Sequence, residues 1–425
     1  MEKRKIAVVG AGAAGMTAAG RAAGLGCEVT LFERNSLLGK KLGITGKGRC
    51  NLTNDCTPDE FIKNITSNGK FLFSAVNRFT PADTMMFFES LGVPLKTERG
   101  RRVFPVSDRA LDVVLALKRY CTENGCRIVC DRITGFLQNA DGTLSGVRSE
   151  SKKYDGFDAV LLCTGGLSYP GTGSTGDGYR LAASVGHTIT PPVPSLVGLE
   201  SDAPLCPAAQ GLSLKNAEIR VLDTETNKII YRDFGEMLFC HFGISGPVIL
   251  SASAHMRPMK SGKYTVMIDL KPALDRETLD RRLLSDFQKF KNRNFANAFD
   301  DLLPSKLRAP FVCICGIPPE KKINAVTHEE RRKIAELLKG LPIEITGFRP
   351  ISEAIVTSGG VTVSEIEPQT MRSKLCPNLY FAGELMDLDA YTGGFNLQIA
   401  FSTAMAAANA AARPISDCIN RKGNE

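Results

Sequence analysis

Apolar positions fall in two rhythms along this chain. Residues 6–9, Ile-Ala-Val-Val, are a short unbroken apolar run, the mark of a strand buried on both faces. A glycine-rich turn follows, then a run of small residues over 13–25 that reads as a helix, then Glu28-Val-Thr-Leu-Phe-Glu33 as a second strand. A helical crossover of this length joins parallel strands. Asp158-Ala-Val-Leu-Leu-Cys163 is another buried strand, running into Thr164-Gly165-Gly166. Late in the chain Asn378-Leu-Tyr-Phe-Ala382 repeats the pattern and precedes an alanine-rich helix over 396–412.

Between these lie helix signals. Thr80-Pro81 supplies an N-cap and a first-turn proline for a helix to Leu91. Ser107 reads as the cap of a helix ending near Asn124, with Gly125 as its stop. Strand-like segments follow at 127–129 and, past the Asp141-Gly142 turn, at 144–148. Residues 37–54 have glycines at 39, 43, 46 and 48 and no helical or strand period, so they read as a loop over something anionic, or as a lid.

The texture changes after Pro191-Pro192-Val193-Pro194. Strands are expected at 218–222, 229–232 and 264–270, and helices from 276 to about 339, one of them opened by the capping box Thr327-His-Glu-Glu330. The expected organisation is α/β: a discontinuous Rossmann-like domain over 1–191 and 348–425, a β-rich domain over 192–271 and 341–347, and a helical insert over 272–340.

Composition narrows the chemistry. Thirteen scattered cysteines, with no Cys-x-x-Cys pair, are not a disulfide framework, and four histidines make a structural metal site improbable. No apolar run reaches membrane-spanning length, and Met1-Glu2-Lys3-Arg4-Lys5 lacks the apolar core of a signal peptide, so a cytoplasmic location is expected. A net charge of +8 suits an anionic partner. That partner is expected to be a small molecule rather than a nucleic acid, because no aromatic-plus-basic cluster of the kind that reads single strands stands out. The oligomeric state is not indicated.

Gly10-Ala-Gly12-Ala-Ala-Gly15 sits where a dinucleotide fingerprint must, between a strand and a helix. Gly10 permits the turn, Gly12 lets a diphosphate approach the backbone, and Gly15 lets the helix press on the strand. The helix start offers free N–H groups and partial positive charge. Glu33, at the end of the second strand, suits ribose hydroxyls and repels a 2′-phosphate, which leaves FAD or NAD. Two remote segments favour FAD, whose flavin end must be gripped far from the first crossover. These are Thr164-Gly165-Gly166, and Gly383-Glu384 with Gly393-Gly-Phe-Asn-Leu-Gln398 at a helix start.

The strings GKKLGITGKGRCNLTN (39–54), VTSGGVTVSEIEPQTMRSKL (356–375) and LYFAGELMDLDAYTGGFNLQIAFSTA (379–404) carry a resemblance. The whole chain is similar to a bacterial family of NAD(P)/FAD-dependent flavoproteins that includes 3-dehydro-bile-acid Δ4,6-reductases and aminoacetone oxidases. The resemblance implies an FAD domain with a β-barrel-like insert and a small helical insert. It implies that the glycine motif, with Ala13 and Ala14, and Glu33 beside Arg34 hold the AMP half. Lys40 and Lys41 would lie near the diphosphate or adenosine edge, Ile133 would meet adenine through its backbone, and Thr164 and Gly165 would approach the diphosphate. Arg49, Cys50 and Asn51 would form a flavin-side loop. Glu384, after Gly383, would lie near the ribityl chain, with Gly394, Asn396, Leu397 and Gln398 beside the ring.

Tyr391, Tyr169 and Arg102 are candidates for the substrate pocket. Lys47 does not follow a Walker spacing, which excludes a P-loop. Gly171-x-Gly173-x-x-Gly176 follows Tyr169-Pro170 instead of a strand and reads as a tight loop, so either reduced nicotinamide docks transiently over the flavin or the substrate itself reduces it. Cys50 reads as a packed thiol; its nearest partner in sequence is Cys56. The expectation is an FAD-dependent oxidoreductase with no side chain named as acid or base. Reduction of a C=C bond with NAD(P)H is preferred, amine oxidation with O₂ is the alternative, and a flavin-bearing RNA-modifying or RNA-binding protein is the rival from another class.

Overall fold

The apolar run at 6–9 sets the centre of the main sheet. In the computed structural model, which describes residues 2–413, Lys5–Val9 is the middle strand of a five-stranded parallel sheet. Glu28–Glu33 and then Arg127–Cys130 extend it on one side, Ala159–Leu162 and then Leu379–Phe381 on the other. Val8 lies opposite both Leu31 and Leu161, and all three are fully buried. A strand covered on both faces has no polar side, which is why the sequence shows no alternation there.

The first helix, Ala13–Gly24, packs along the C-terminal helix, Phe395–Ala411. Ala18, Ala19 and Ala22 on one and Ala404, Ala407 and Ala408 on the other are fully buried, and such small side chains let two backbones approach closely. Arg21 Nε donates to Asn409 Oδ1 at 2.8 Å beyond the apolar seam.

The chain divides into two compact units, Met1–Ser195 with Ile351–Glu425, and Leu196–Pro350. The first unit adds to the parallel sheet a three-stranded meander, Gly135–Gln138, Leu144–Arg148 and Lys153–Asp155. It also holds a small antiparallel sheet of Thr53–Asn54, Arg102–Pro105 and Leu95–Glu98. Ile189–Ser195 pairs antiparallel with Val356–Val361. Pro191 and Pro192 fall in the register shift between Thr190 and Val193, where no ladder N–H is required of them.

The second unit is built on a seven-stranded sheet. Its two end strands, Leu341–Ile345 and Gly347–Phe348, are separated by Thr346 alone. One bent segment therefore pairs with both ends of the order and rolls the sheet closed. The helices Arg276–Lys289, Ser305–Cys315 and His328–Lys339 share one hydrophobic core with these strands, so the helical stretch belongs to the same compact unit.

Several local readings shift. Thr80 and Thr327 both make full capping boxes, with Asp83 and Glu330. The helix expected from Ser107 instead begins at Ala110 with Arg109 in the cap position, and Ser107 Oγ only accepts from Arg109 N at 3.4 Å. The loop at 37–54 contains a short helix, Lys40–Ile44, which its glycines concealed. The strand expected at 229–232 runs from Lys228 to Cys240, because an antiparallel strand with one wet face tolerates charges on alternate residues.

Candidate functional site

The three glycines of the first turn are set apart by what an added methyl would meet. At Gly15 a Cβ would stand 1.7 Å from the Gly10 carbonyl oxygen, so helix and turn touch backbone to backbone. At Gly10, whose φ is +98°, it would stand 2.6 Å from the Cys163 carbonyl oxygen. At Gly12 it would meet nothing within 4 Å. The first two glycines are demanded by the protein itself. The third faces open space at the start of a helix that no side chain caps and whose first turn carries no acidic residue. Such a helix start favours an anion.

Glu33 closes this turn. Its Oε2 accepts from Ala11 N at 2.8 Å, and its Oε1 accepts from Asn35 N at 2.9 Å and Asn35 Nδ2 at 2.8 Å. Two carboxylate oxygens carry about four acceptor positions, so a further donor fits. Lys40 Nζ donates to Asn35 Oδ1 at 3.2 Å. Arg34 turns away, to Thr175 Oγ1 at 2.6 Å and Asp177 Oδ2 at 3.1 Å. Burial works against the Asp177 carboxylate, yet Arg132, Arg180 and Arg34 hold it below the usual range. Ile133 is buried just past the edge strand Arg127–Cys130.

The returning C-terminal segment packs against the start of the first helix. Ala14 Cβ lies 3.0 Å from the Cβ position of Gly383, whose φ is +77°. Lys41 Nζ donates to Glu384 Oε2 and to Ser168 Oγ, each at 2.6 Å. Glu384 Oε1 accepts from Thr357 N at 2.9 Å and Ser168 Oγ at 3.1 Å. Next to Gly165, whose φ is +72°, Thr164 Oγ1 is buried with no hydrogen-bond partner among the described residues, as is the Tyr179 hydroxyl. Burial, with Glu384 nearby, pushes the Tyr179 phenol above its ordinary range.

At the far end Gly394 lies against Thr53, where an added Cβ would stand 2.2 Å from the carbonyl oxygen. The C-terminal helix starts here, uncapped and without an acidic residue in its first turn. Asn396 pins the preceding loop, accepting from Ala390 N at 3.0 Å and donating to Ala390 O at 2.8 Å. Gln398 is fully buried, accepting from Thr53 Oγ1 at 2.7 Å and donating to Phe79 O and Ser402 Oγ. The side chains of Asn396 and Gln398 are thus engaged by protein, while Leu397 is partly buried beside them. Asn51 Nδ2 donates to Thr53 O and Val103 O. Cys50 is fully buried and has φ +61°, and burial pushes its thiol up to about 12. Arg49 is drawn off to Glu98 and Asp108 and lies 4.2 Å over the Phe104 ring.

Arg102 lines a cavity of about 420 Å³, together with Asn54, Cys56, Lys63, Gly393 and Phe395. Tyr391 and Tyr169 do not line it. Tyr391 N donates to Asn64 O at 3.0 Å, and Tyr169, with φ +53°, leads the short turn Pro170–Thr172. Sequence reasoning passed over Asn54, Ser168, Thr357 and the fully buried Asp389, whose oxygens accept from Ser195 Oγ at 2.6 Å and Ser358 Oγ at 3.0 Å. The available signal was polar residues in an otherwise apolar strand: Thr357 and Ser358 interrupt Val356–Val361.

Residues 4–410 match the profile of the HI0933-like protein Rossmann domain. The chain belongs to that family. As an HI0933-like protein it is an FAD-binding oxidoreductase. The 3-dehydro-bile acid delta(4,6)-reductase of Clostridium scindens is 29% identical over 413 residues, 96% of this chain and 99% of the relative. The ribosomal RNA dihydrouridine synthase of Haemophilus influenzae is 30% identical over 408 residues, 94% of this chain and 96% of the relative. Among solved structures, the 3-ketosteroid-delta4-(5alpha)-dehydrogenase of Rhodococcus jostii RHA1 shares the fold. Its TM-score is 0.54 at 14% identity, covering 97% of this chain and 98% of that one.

The crevice of this HI0933-like chain fits FAD by its own features. An added Cβ at Gly12 would meet nothing within 4 Å, Thr164 Oγ1 and the Tyr179 hydroxyl have no hydrogen-bond partner among the described residues, and the helices Ala13–Gly24 and Phe395–Ala411 both start without a side-chain cap.

Proposed function

We propose that this protein is an FAD-dependent reductase that saturates a carbon–carbon double bond conjugated with a carbonyl in a small organic substrate, with NAD(P)H as electron source. Overall the substrate gains a hydride equivalent at the carbon β to the carbonyl and a proton at the α carbon, and NAD(P)H leaves as NAD(P)⁺. FAD, when bound, supplies the two-electron relay between them.

The reading rests on one coincidence. A cavity of about 420 Å³ opens against Gly393 and Phe395, at the entry of the helix assigned to the flavin end. The chain that carries it is matched over 96% and 94% of its length by relatives named as a delta(4,6)-reductase and a dihydrouridine synthase. In this reading the first turn and the start of the Ala13–Gly24 helix hold the diphosphate, and Glu33 holds ribose. Lys41 and Glu384 fix the middle of the crevice, and the start of Phe395–Ala411 favours negative charge at the ring. The Gly171–Gly176 loop follows no strand and leads into a seven-residue helix, which supports transient docking of nicotinamide rather than a second nucleotide domain.

Anaerobic mixing of the holoenzyme with NADPH and with NADH tests the reading. Either nucleotide is expected to bleach the flavin absorbance. If neither does while a small primary amine does, the protein is an oxidase and the proposal falls.

A second reading concerns the substrate alone. The relatives named ribosomal RNA dihydrouridine synthase, from Escherichia coli and Haemophilus influenzae, and the net charge of +8 favour a uracil ring within RNA. Salt-dependent filter binding to bulk RNA, followed by mass spectrometry for dihydrouridine, decides. No binding at low salt removes this reading and leaves the reductase chemistry standing.

A further inference from the structure

The cavity beside Gly393 has an organised roof. Leu95–Glu98 and Arg102–Pro105 form a hairpin whose tip carries Arg99, Gly100 and Arg101. Asn54, itself buried, donates from Nδ2 to Gly100 O at 3.0 Å and to Gly393 O at 3.1 Å, so one amide ties the tip to the glycine entry of the C-terminal helix. Asp55 N donates to Arg101 O at 2.8 Å. Arg101 is held at φ +58°, a conformation L-residues rarely take, and its guanidinium meets Glu60 at 2.7 Å.

The cations on this cavity are not balanced. Glu60 is matched by Arg101. Arg102 has no carboxylate partner among the described residues, and its Nε donates only to Arg99 O, at 3.1 Å. Lys63, an exposed residue that also lines the cavity, has none either. By contrast Arg49, in the turn that precedes the small sheet, is claimed by Glu98 and Asp108. Unpaired cations around a concavity concentrate anions there, and a guanidinium fork matches an oxyanion such as a carboxylate or phosphate.

We propose that Lys63 and Arg102, steadied by the Asn54 clamp and the Arg101–Glu60 pair, anchor an anionic group of the substrate. That group is a carboxylate on a small molecule or a phosphodiester of an RNA strand, and the reducible end of the substrate points toward Gly393. The proposal rests on the reductase reading for what lies beyond Gly393. The anchoring itself is a matter of binding and is measured without turnover.

The oxidised holoenzyme is titrated with cholate, a steroid carboxylate, and with a labelled uridine-containing oligoribonucleotide. The readouts are the flavin difference spectrum and fluorescence anisotropy. Wild type is compared with Lys63→Glu/Arg102→Glu, with the conservative Lys63→Arg, and with Lys228→Glu in the other compact unit as a charge control. The double reversal is expected to weaken binding of the recognised probe about tenfold while Lys63→Arg retains it. If the oligonucleotide is that probe, the slope of log affinity against log salt falls by about 1.4 for two lost phosphate contacts. Dependence confined to cholate assigns the carboxylate, and dependence confined to the oligonucleotide assigns the phosphodiester. If neither probe binds, or the double reversal and Lys228→Glu behave alike, the anchor is refuted. Loss of NAD(P)H bleaching would instead strike the reductase reading.

Discussion

Lys41 Nζ lies 2.6 Å from Glu384 Oε2, and 343 positions separate the two residues in the sequence. The pair joins the short helix after the first crossover to the end of the last parallel strand, across the crevice assigned to FAD. Each side chain is about one-fifth exposed, so water screens the pair only in part. Glu384→Gln leaves Lys41 with the Ser168 hydroxyl alone. FAD affinity, followed by recovery of flavin fluorescence on dilution, is expected to drop on the order of tenfold. Lys41→Met is expected to do the same, and the double variant to lose less than the product of the two. Strict additivity would show that the residues act separately.

The glycines of the first turn separate binding from folding. Gly12 has φ −81°, open to any residue, and nothing stands where its side chain would go. Gly12→Val should therefore keep the thermal midpoint of the apoprotein and weaken FAD binding at least about tenfold. Gly15→Ala drives a methyl into the Gly10 carbonyl and should destabilise the apoprotein itself by about 3 kcal/mol or more. Equal effects on the two apoproteins would overturn this assignment.

Thiol labelling should follow burial. Cys130 and Cys313 are exposed, whereas Cys50 and Cys163 are buried in surroundings that push each thiol up to about 12. Iodoacetamide at pH 8, mapped by mass spectrometry, should modify Cys130 and Cys313 first and reach Cys50 and Cys163 only in denaturant. Early modification of Cys50 would reopen the case for a redox thiol beside the flavin.

His187 gives a pH dependence with a definite sign. Ser373 Oγ accepts from Leu375 N and Cys376 N, so its proton is free to go to His187 Nε2, 2.7 Å away. His187 Nδ1 then donates to Glu365 Oε2 at 3.1 Å. Burial pushes the imidazole below its ordinary value despite the pull of Glu365, so the folded ring is neutral. A depressed folded pKa contributes stability that is complete above the unfolded value, about 6.5, and is lost as pH falls toward the folded one. The thermal midpoint should decline from about pH 6.5 downward, and His187→Gln should flatten that decline. A wild-type curve as flat as the variant's would contradict it.

Much of this was legible in the residues, and the reason is local. The strand at 6–9, the glycine turn, Glu33 and the helix caps at Thr80 and Thr327 are each dictated by neighbours within a few positions. Lys41 with Glu384, Asn54 with Gly393 and Thr53 with Gln398 were not readable as pairs, because each is made by chain return across the sheet. Arg34 and Arg49 illustrate the other gap. One follows Glu33 and the other stands in the string 39–54, both expected to border the cofactor, yet each guanidinium is claimed by carboxylates that only the folded chain brings near: Asp177 in one case, Glu98 and Asp108 in the other.

The order of the parallel sheet also bears on how the molecule comes into being. Leu379–Phe381 pairs with Ala159–Leu162, and the helix Phe395–Ala411 lies on the first helix. During synthesis the amino-terminal crossover therefore emerges with one flank bare and waits for almost the whole polypeptide. A dinucleotide that needs both ends of the chain would be gripped only once that final stretch has arrived.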